Sequence, residues 1–263
     1  MELITILLSG LLGLLAPLGF VSDRLATAAI RDRLNSAETL AVRIDNAPSY
    51  QLLQGKVQRV RIAGRGIVPQ PDLRIAVLEL ETDAIALNPI SLRQGKPELV
   101  EPLQAGIRMQ VTETDVNRFL QSAAVKERLK TMNLNLPANS SQEAEPYSVE
   151  KVQLDFLANN RLQIGIILKG QRSGTQSTVT AESGFAINAG RQMQLVEPQV
   201  RFGETAVPAE IIMLLTAGLL QQLDLGRLEE SGLTSRVLNF QIQDAHLDLA
   251  AFIRIEPQFL TRR

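Results

Sequence analysis

Hydrophobic and polar residues alternate along residues 57–68, a pattern typical of a strand with one buried face. One face carries Val60, Ile62 and Val68, and the other carries Arg59, Arg61 and Arg65. Two prolines at 69–71 interrupt the pattern, and residues 73–80 are then apolar at nearly every position. The pattern therefore predicts consecutive strands of a sheet whose apolar face must cover something apolar.

Strand patterns recur along most of the chain. They cover residues 40–44, 105–111, 149–157, 161–168, 177–187, 192–202, 237–243 and 246–255. The adjacent asparagines Asn159 and Asn160 predict a tight hairpin turn, because asparagine tolerates positive φ. Strands that follow one another without alternating helices favour antiparallel sheets over a parallel α/β fold.

Three segments have helical patterns. Residues 22–38 show a modest apolar stripe and predict a helix. A second helix begins at Thr112, a natural N-cap, and its stripe of Val116, Phe119, Leu120 and Ala123 continues toward the basic residues that end at Lys130. Residues 208–224 predict a third helix that is apolar on most sides and, at roughly 16 residues, too short to span a bilayer comfortably.

These elements predict an α+β fold. We expect long, twisted, mainly antiparallel sheets wrapped on two apolar helices, an arrangement that by fold-level analogy is tubular and lipid-binding-like. Aromatic residues make up only 4% of the chain and tryptophan is absent, so the space between sheet and helices is hard to fill. An acyl chain would fill it, and the residues expected to line the cavity are Phe119, Leu120, Ile211, Leu214, Leu215 and Leu219.

The N-terminal residues 1–21 form a separate segment before a single predicted domain at 22–263. Residues 3–21 contain no charged side chain, and as an apolar helix they would reach about 28 Å, nearly the thickness of a hydrocarbon core. Glu2 and the lack of a preceding basic residue favour a retained membrane anchor over a cleaved signal peptide. Arg24, Arg31 and Arg33 follow the segment, which by the positive-inside rule would leave the domain in the cytoplasm.

Composition excludes several function classes. A net charge of −1 argues against a nucleic-acid partner, and the lack of cysteine excludes thiolate metal sites. The single histidine, His246, has no metal-ligand spacing around it and predicts an ordinary strand residue with a hydrogen-bonded ring. Glu79, Glu81 and Asp83 alternate on a strand and could gather a cation, although a solvated face is the more common outcome. We therefore predict neither a catalytic constellation nor a metal or cofactor.

The arginine stripe of Arg59, Arg61 and Arg65 has two interpretations. It could contact the phosphate of a lipid head group, or it could be an ordinary wet sheet face paired with neighbouring carboxylates. The pattern alone leaves both open.

Four motifs resemble those of the LmeA-like phospholipid-binding family, its cyanobacterial members in particular. They are LLQGKV at 52–57, GRG at 64–66, LETDAIAL at 80–87 and VTETDVN at 111–117. The resemblance extends from Leu25 to the C-terminus. It implies an extracytoplasmic, membrane-associated protein, in the periplasm or thylakoid lumen, that holds phospholipid in an elongated apolar cavity without known enzyme activity. That location conflicts with the charge pattern after residue 21, and no binding residue of the family can be carried over.

Three function classes follow. The first is a membrane-associated protein that binds or transfers phospholipid or glycolipid. The second is a non-enzymatic scaffold of the cell envelope that binds a protein partner. The third is an enzyme acting on a lipid head group through Asp83 or Asp115, which we do not expect because neither carboxylate has a visible second member of a pair.

Overall fold

The structure is a computed structural model, and it describes residues 23–47, 51, 54–94, 98–130, 134–135, 146–208, 212, 224–243 and 245–261. These residues form two six-stranded sheets and one two-stranded sheet. Every strand pair in this part of the chain is antiparallel. The predicted α+β class with mostly antiparallel sheets is therefore confirmed.

The first half of the chain contains most of the helices. Its elements are α1 (Asp23–Arg31), β1 (Ser36–Asp45), β2 (Lys56–Val57), β3 (Arg59–Gln70), β4 (Leu73–Thr82), β5 (Ile85–Ala86), α2 (Pro89–Arg93), β6 (Leu103–Thr112), α3 (Glu113–Leu120) and α4 (Ala123–Lys130). The break between β3 and β4 is shorter than the prolines predict, because β3 continues through Pro69 to Gln70 and only Pro71 and Asp72 form the turn, with Asp72 at a φ of 65°.

The second half is mainly strand. Its elements are β7 (Leu134–Asn135), β8 (Pro146–Leu157), β9 (Arg161–Gly170), β10 (Gln176–Asn188), β11 (Gln192–Phe202), β12 (Thr205–Ala206), a 3₁₀ helix (Leu225–Ser231), β13 (Leu233–Gln243), β14 (His246–Ile255) and α5 (Pro257–Thr261). Asn159 and Asn160 both have a φ of 60°, which confirms the predicted turn between β8 and β9.

The two large sheets differ in how the chain builds them. The first sheet has the order β1-β3-β4-β6-β14-β13, so the C-terminal hairpin joins strands from the start of the chain. The second sheet is a simple meander from β7 to β12, in which sequential strands are neighbours. Short turns between antiparallel strands suffice for this order, as the sequence pattern predicts.

The first sheet has one apolar and one charged face. Its apolar face contains a row of directly opposed residues that crosses all six strands: Val42, Ile62, Leu80, Ile107, Ala251 and Val237. Ala26, Ile30 and Leu34 belong to the same hydrophobic core cluster, so α1 covers part of this face. The opposite face carries arginines and carboxylates, because side chains alternate along each strand.

Two predicted helices differ from the structure. The helix predicted over residues 22–38 is wrong beyond Arg31. Strand β1 begins at Ser36, which pairs with Val68 of β3. The helix predicted from Thr112 toward Lys130 is divided into α3 and α4. Ser122 starts the second of these, since its hydroxyl accepts a hydrogen bond from the Val125 amide at 3.3 Å.

The second sheet meets the first at the free edge of β13. The Val237 amide donates to the carbonyl of Gly190 at 2.6 Å, and the Ile242 amide donates to the side-chain oxygen of Asn160 at 2.7 Å. Both acceptors lie in hairpin turns of the second sheet. Phe185 of β10 and Phe240 of β13 also contact each other, with ring centroids 6.1 Å apart. The apolar faces of the two sheets are therefore continuous at this junction.

Candidate functional site

The second sheet presents an apolar face built from β8, β9, β10 and β11. Directly opposed residues lie on the same face, and the register forms rows across these strands. The rows are Val152, Ile166, Val179 and Phe202, then Leu154, Ile164, Ala181 and Val200. Both rows consist only of apolar side chains.

These two rows contain none of the deeply buried residues that occur on the apolar face of the first sheet. Val42, Ile62 and Leu78 in the first sheet are at most 3% exposed. Every residue of the two rows in the second sheet is instead half-buried. A contiguous, partly exposed apolar surface of this kind is typical of a ligand or partner site in a folded protein.

Aromatic residues mark both ends of the apolar face. Tyr147 on β8 and Phe202 on β11 approach edge to face, with ring centroids 6.2 Å apart. Since β9 and β10 lie between them, the strands would be about 14 Å apart in a flat sheet, and the two rings reach toward each other over the face. At the other end, Phe185 contacts Phe240 of the first sheet. The face is thus closed by rings at one end and continuous with the first sheet at the other.

Helix α3 binds the outer edge of β8. The side chain of Asn117 donates to the Leu154 carbonyl at 2.6 Å and accepts from the Leu154 amide at 2.8 Å. A carboxylate oxygen of Glu113 accepts from the Phe156 amide at 2.7 Å. These side chains replace a neighbouring strand along this part of β8, and they fix α3 beside the apolar face.

A cavity of about 560 Å³ lies where β8 passes α4. Its lining includes Leu120, Gln121, Lys126, Leu129, Ser148, Val149, Glu150, Lys151 and Val152. The volume is within the range of about 300–1,000 Å³ that small-molecule sites occupy. Val149 and Val152 belong to the apolar face of the second sheet, because they oppose Leu168 and Ile166. The cavity therefore borders that face.

The predicted cavity-lining residues are only partly described by the structure. Phe119 and Leu120 end α3 and are half-buried, and Leu120 lines the cavity beside β8. Ile211, Leu214, Leu215 and Leu219 lie outside the described residues.

The predicted head-group arginines lie on the charged face of the first sheet. Arg59 forms an ion pair with Glu81 at 3.0 Å, and Arg61 pairs with Asp45. The hydrogen bond from Arg61, aided by Arg43, holds the pKa of the Asp45 carboxyl below its ordinary value. Arg65 is exposed and has no ion-pair partner among the described residues. Two of the three arginines are thus paired, and the stripe lies away from the cavity beside β8.

Asp115 is the one buried carboxylate in the part of the chain that the structure describes, at 3% exposure. It accepts from Arg74 at 2.8 Å and from the Thr112 hydroxyl at 2.7 Å, and it pairs with Arg118. Arg74 also binds Glu38, and the two carboxylates raise its pKa, Glu38 more than Asp115. Asp115 is engaged with cations and a hydroxyl, so it fixes α3 to the first sheet and forms no carboxylate pair for acid–base chemistry.

Two residues of the acidic stripe, Glu79 and Glu81, and the histidine have structural partners. Glu79 pairs with Arg108 at 3.3 Å, and His246 begins β14 with its ring 3.1 Å from Asp248. No group of three potential metal ligands occurs among the described residues. Within the same residues, no helix has the length and hydropathy needed to cross a bilayer. The predicted membrane segment at 3–21 lies outside them.

The apolar face of the second sheet was not predicted as a site from the sequence. The strands were predicted, but no ligand contact was assigned to Leu154, Ile164, Ile166 or Ala181. A signal was present, because four successive strands each place apolar residues at alternate positions. The register that brings β11 into these rows depends on a bulge between Glu182 and Gly184, and alternation alone does not reveal it.

The described part of the chain thus combines two large antiparallel sheets, a partly exposed apolar face and an adjoining cavity. A family model described as LmeA-like phospholipid-binding matches residues 16–252, and the chain belongs to that family. Comparisons with curated proteins and with solved structures gave no match. The resemblance seen in the sequence is thereby confirmed, and the family is one of lipid-binding proteins and not a known enzyme family.

Proposed function

We propose that this protein binds phospholipid by placing acyl chains along the apolar face of the second sheet. The observation that carries the proposal is the pair of half-buried apolar rows on β8–β11, next to a cavity of about 560 Å³. Each methylene that leaves water contributes about 0.8 kcal/mol, so an acyl chain covering these rows would be bound firmly. Membership of a phospholipid-binding family supports the same ligand class.

The helix predicted over residues 208–224 would complete the site. Its apolar residues Ile211, Leu214, Leu215 and Leu219 remain predicted acyl contacts, together with Phe119 and Leu120. The described neighbour Ile212 is buried, at 4% exposure. Burial at this position supports packing of the segment against the rest of the protein.

Membrane association is the second part of the proposal. Ile90 and Val100 are large apolar residues that are 69% and 59% exposed. They flank the segment after β5, beyond the end of the first sheet where β1 finishes. Asp23 lies at that end too, because its carboxylate accepts from the Ile44 amide at 3.0 Å. A membrane segment preceding Asp23 would bring this end, with its exposed apolar residues, against the bilayer.

We further propose that the domain lies on the extracytoplasmic face, as the family resemblance implies. The family's ligand and the exposed apolar end support a protein that receives lipid from the bilayer and holds or transfers it. The charge pattern around residues 3–21 favours the opposite side, and topology measurements decide between them.

The test is to purify the full chain in detergent, extract it with organic solvent and analyse the extract by mass spectrometry. We expect close to one phospholipid or glycolipid per chain after gel filtration. Preparations from several expression hosts that carry no lipid, and that take up no fluorescent lipid, would favour an envelope scaffold that binds a protein partner.

A further inference from the structure

The outer edge of β8 is covered at both ends, and no described strand pairs with the stretch between them. Tyr147 pairs with Leu134 of β7, while Asn117 binds Leu154 further along. Residues 148–152 lie between these contacts and line the cavity. In an antiparallel strand, alternate residues direct their amide and carbonyl to the same edge, so the Val152 amide points to this edge like those of Leu154 and Phe156.

Two lysines line the same cavity, Lys126 from α4 and Lys151 from the bulge in β8. Both are exposed, and neither ammonium has a hydrogen-bond or ion-pair partner among the described residues. The carboxylate in the lining, Glu150, is occupied elsewhere: it lies 3.6 Å from Lys169 and accepts from Gln176 at 2.7 Å. Among the residues that the structure describes, the cavity therefore has positive charge that no carboxylate neutralises.

This arrangement differs from that of the arginines in the described part of the chain, many of which have carboxylate partners. Arg59, Arg61, Arg74, Arg108, Arg118, Arg161, Arg236 and Arg254 each form an ion pair. The cavity instead combines two cations that have no ion-pair partner in the described part of the chain with apolar walls from Leu120, Leu129, Val149 and Val152. An anion attached to an apolar chain matches both features.

We propose that the cavity between β8 and α4 is the head-group site for an anionic phospholipid. Lys126 and Lys151 hold the phosphate-bearing head group, and the Val152 amide is placed to donate to it. The acyl chains pass Val149 and Val152 onto the apolar face of the second sheet. This inference rests on the proposed lipid-binding function, and it places the head group away from the arginine stripe of the first sheet.

The test uses the full chain in non-ionic detergent with an equimolar mixture of dioleoylphosphatidylglycerol and dioleoylphosphatidylcholine. Native mass spectrometry measures the ratio of the two lipid-bound forms. We expect wild type to favour the anionic lipid by about tenfold, because this preference corresponds to about 1.4 kcal/mol, which two exposed charge contacts together can supply. In the double variant Lys126→Gln/Lys151→Gln the ratio should fall to about one, while the total lipid-bound fraction is unchanged.

The control double variant is Lys56→Gln/Arg65→Gln. It removes two exposed basic residues that also lack ion-pair partners among the described residues: Lys56 in the two-stranded sheet and Arg65 on the arginine stripe of the first sheet. It should retain the wild-type ratio. Excess glycerol 3-phosphate should leave the lipid-bound fraction unchanged, because a free phosphate ester lacks the acyl chains.

The outcomes separate the two proposals. If wild type binds neither lipid, the proposed function fails and the head-group site fails with it. If both lipids bind but wild type shows no anionic preference, or the cavity variant keeps it, only the head-group site is overturned. Loss of the preference in the control variant would assign the head group to the arginine stripe, and displacement by glycerol 3-phosphate would assign the cavity to a soluble phosphate ester.

Discussion

Asn117 binds both main-chain hydrogen-bonding groups of Leu154, donating to its carbonyl at 2.6 Å and accepting from its amide at 2.8 Å. One side chain thus serves as the neighbouring strand that β8 lacks at this position. The contact also fixes where α3 lies relative to the second sheet, and hence one side of the proposed lipid site.

Replacement of Asn117 by alanine should destabilise the protein by about 1–3 kcal/mol, because two partly buried main-chain groups lose their partner. Asn117→Asp keeps the acceptor for the Leu154 amide and should lose less. Circular dichroism during urea unfolding measures the difference. Asn239→Ala, at an exposed position on β13, is the control and should stay within about 0.5 kcal/mol of wild type. An Asn117→Ala protein as stable as this control would contradict the role of the contact.

The structure explains why position 55, in the family-like motif at 52–57, is a glycine. Gly55 has a φ of +74°, and a Cβ atom there would lie 2.4 Å from the carbonyl oxygen of Leu87. Gly203 has a similar φ of +58° but open space around it. Gly203→Ala should cost about 1–2 kcal/mol from backbone strain, and Gly55→Ala about 1–3 kcal/mol more from the clash. Equal midpoints in urea for the two variants would show that the Leu87 contact does not limit this position.

Acid should remove the stabilisation that Asp45 provides. Arg61, and to a lesser extent Arg43, lower the pKa of this carboxyl in the folded protein. A lowered folded-state pKa gives stability that is fully present above the unfolded pKa of about 3.9 and is lost as the pH falls through the folded pKa. The stability difference between wild type and Asp45→Asn should therefore shrink as the pH falls from about 5 to about 2.

Urea midpoints at several pH values measure this difference. Asp72→Asn provides the control, because Asp72 is exposed in a turn and its φ of 65° suits asparagine equally well. The difference in stability between Asp72→Asn and wild type should change less with pH than that of Asp45→Asn. A gap between wild type and Asp45→Asn that widens toward acid would contradict the proposed ion pairing.

Attachment to the membrane is tested by extraction. If residues 3–21 are a retained anchor, the full chain should resist alkaline carbonate, while a chain that starts at Ser22 should be released. Protease protection in sealed cells or vesicles then reports the side, and cleavage only from the cytoplasmic face would contradict our proposed location. Full-length protein in the soluble fraction would contradict the anchor itself.

The strands were largely predictable because their signals are local. Alternation of Val60 and Ile62 with Arg59 and Arg61 defines the two faces of β3, and the structure buries the first pair and exposes the second. The N-cap at Thr112 was equally predictable, and the structure confirms it, because the Thr112 hydroxyl accepts a hydrogen bond from the Asp115 amide. The helix over residues 22–38 was overextended, because the pairing of Ser36 with Val68 depends on a strand far along the chain.

The site was less predictable than the fold. Helix amphipathicity drew attention to Phe119, Leu120 and residues 208–224, whereas the described cavity is lined mainly by the irregular start of β8. The bulge at Val149–Lys151 breaks the alternation that strand prediction uses, so Lys151 is placed beside the cavity by tertiary pairing alone. In the sequence, Lys126 likewise resembles an ordinary basic residue of a helix. Its place in the cavity depends on the packing of α4 beside β8.

The most direct test of acyl binding on the second sheet compares two alanine-to-tryptophan changes on one strand. Ala181 lies in the apolar row between Ile164 and Val200, while Ala186 is exposed on the opposite face of β10. Tryptophan at 181 would occupy the proposed acyl site, and tryptophan at 186 would point away from it.

Lipid bound per chain, measured by native mass spectrometry on the purified full-length variants, decides the matter. We predict that Ala181→Trp folds but loses most of its bound phospholipid, while Ala186→Trp retains the wild-type amount. A folded Ala181→Trp that carries as much lipid as Ala186→Trp would contradict the account. So would a lipid-free wild type in which Ala181→Trp costs about 1–3 kcal/mol of stability, the result expected for overpacking a dry core.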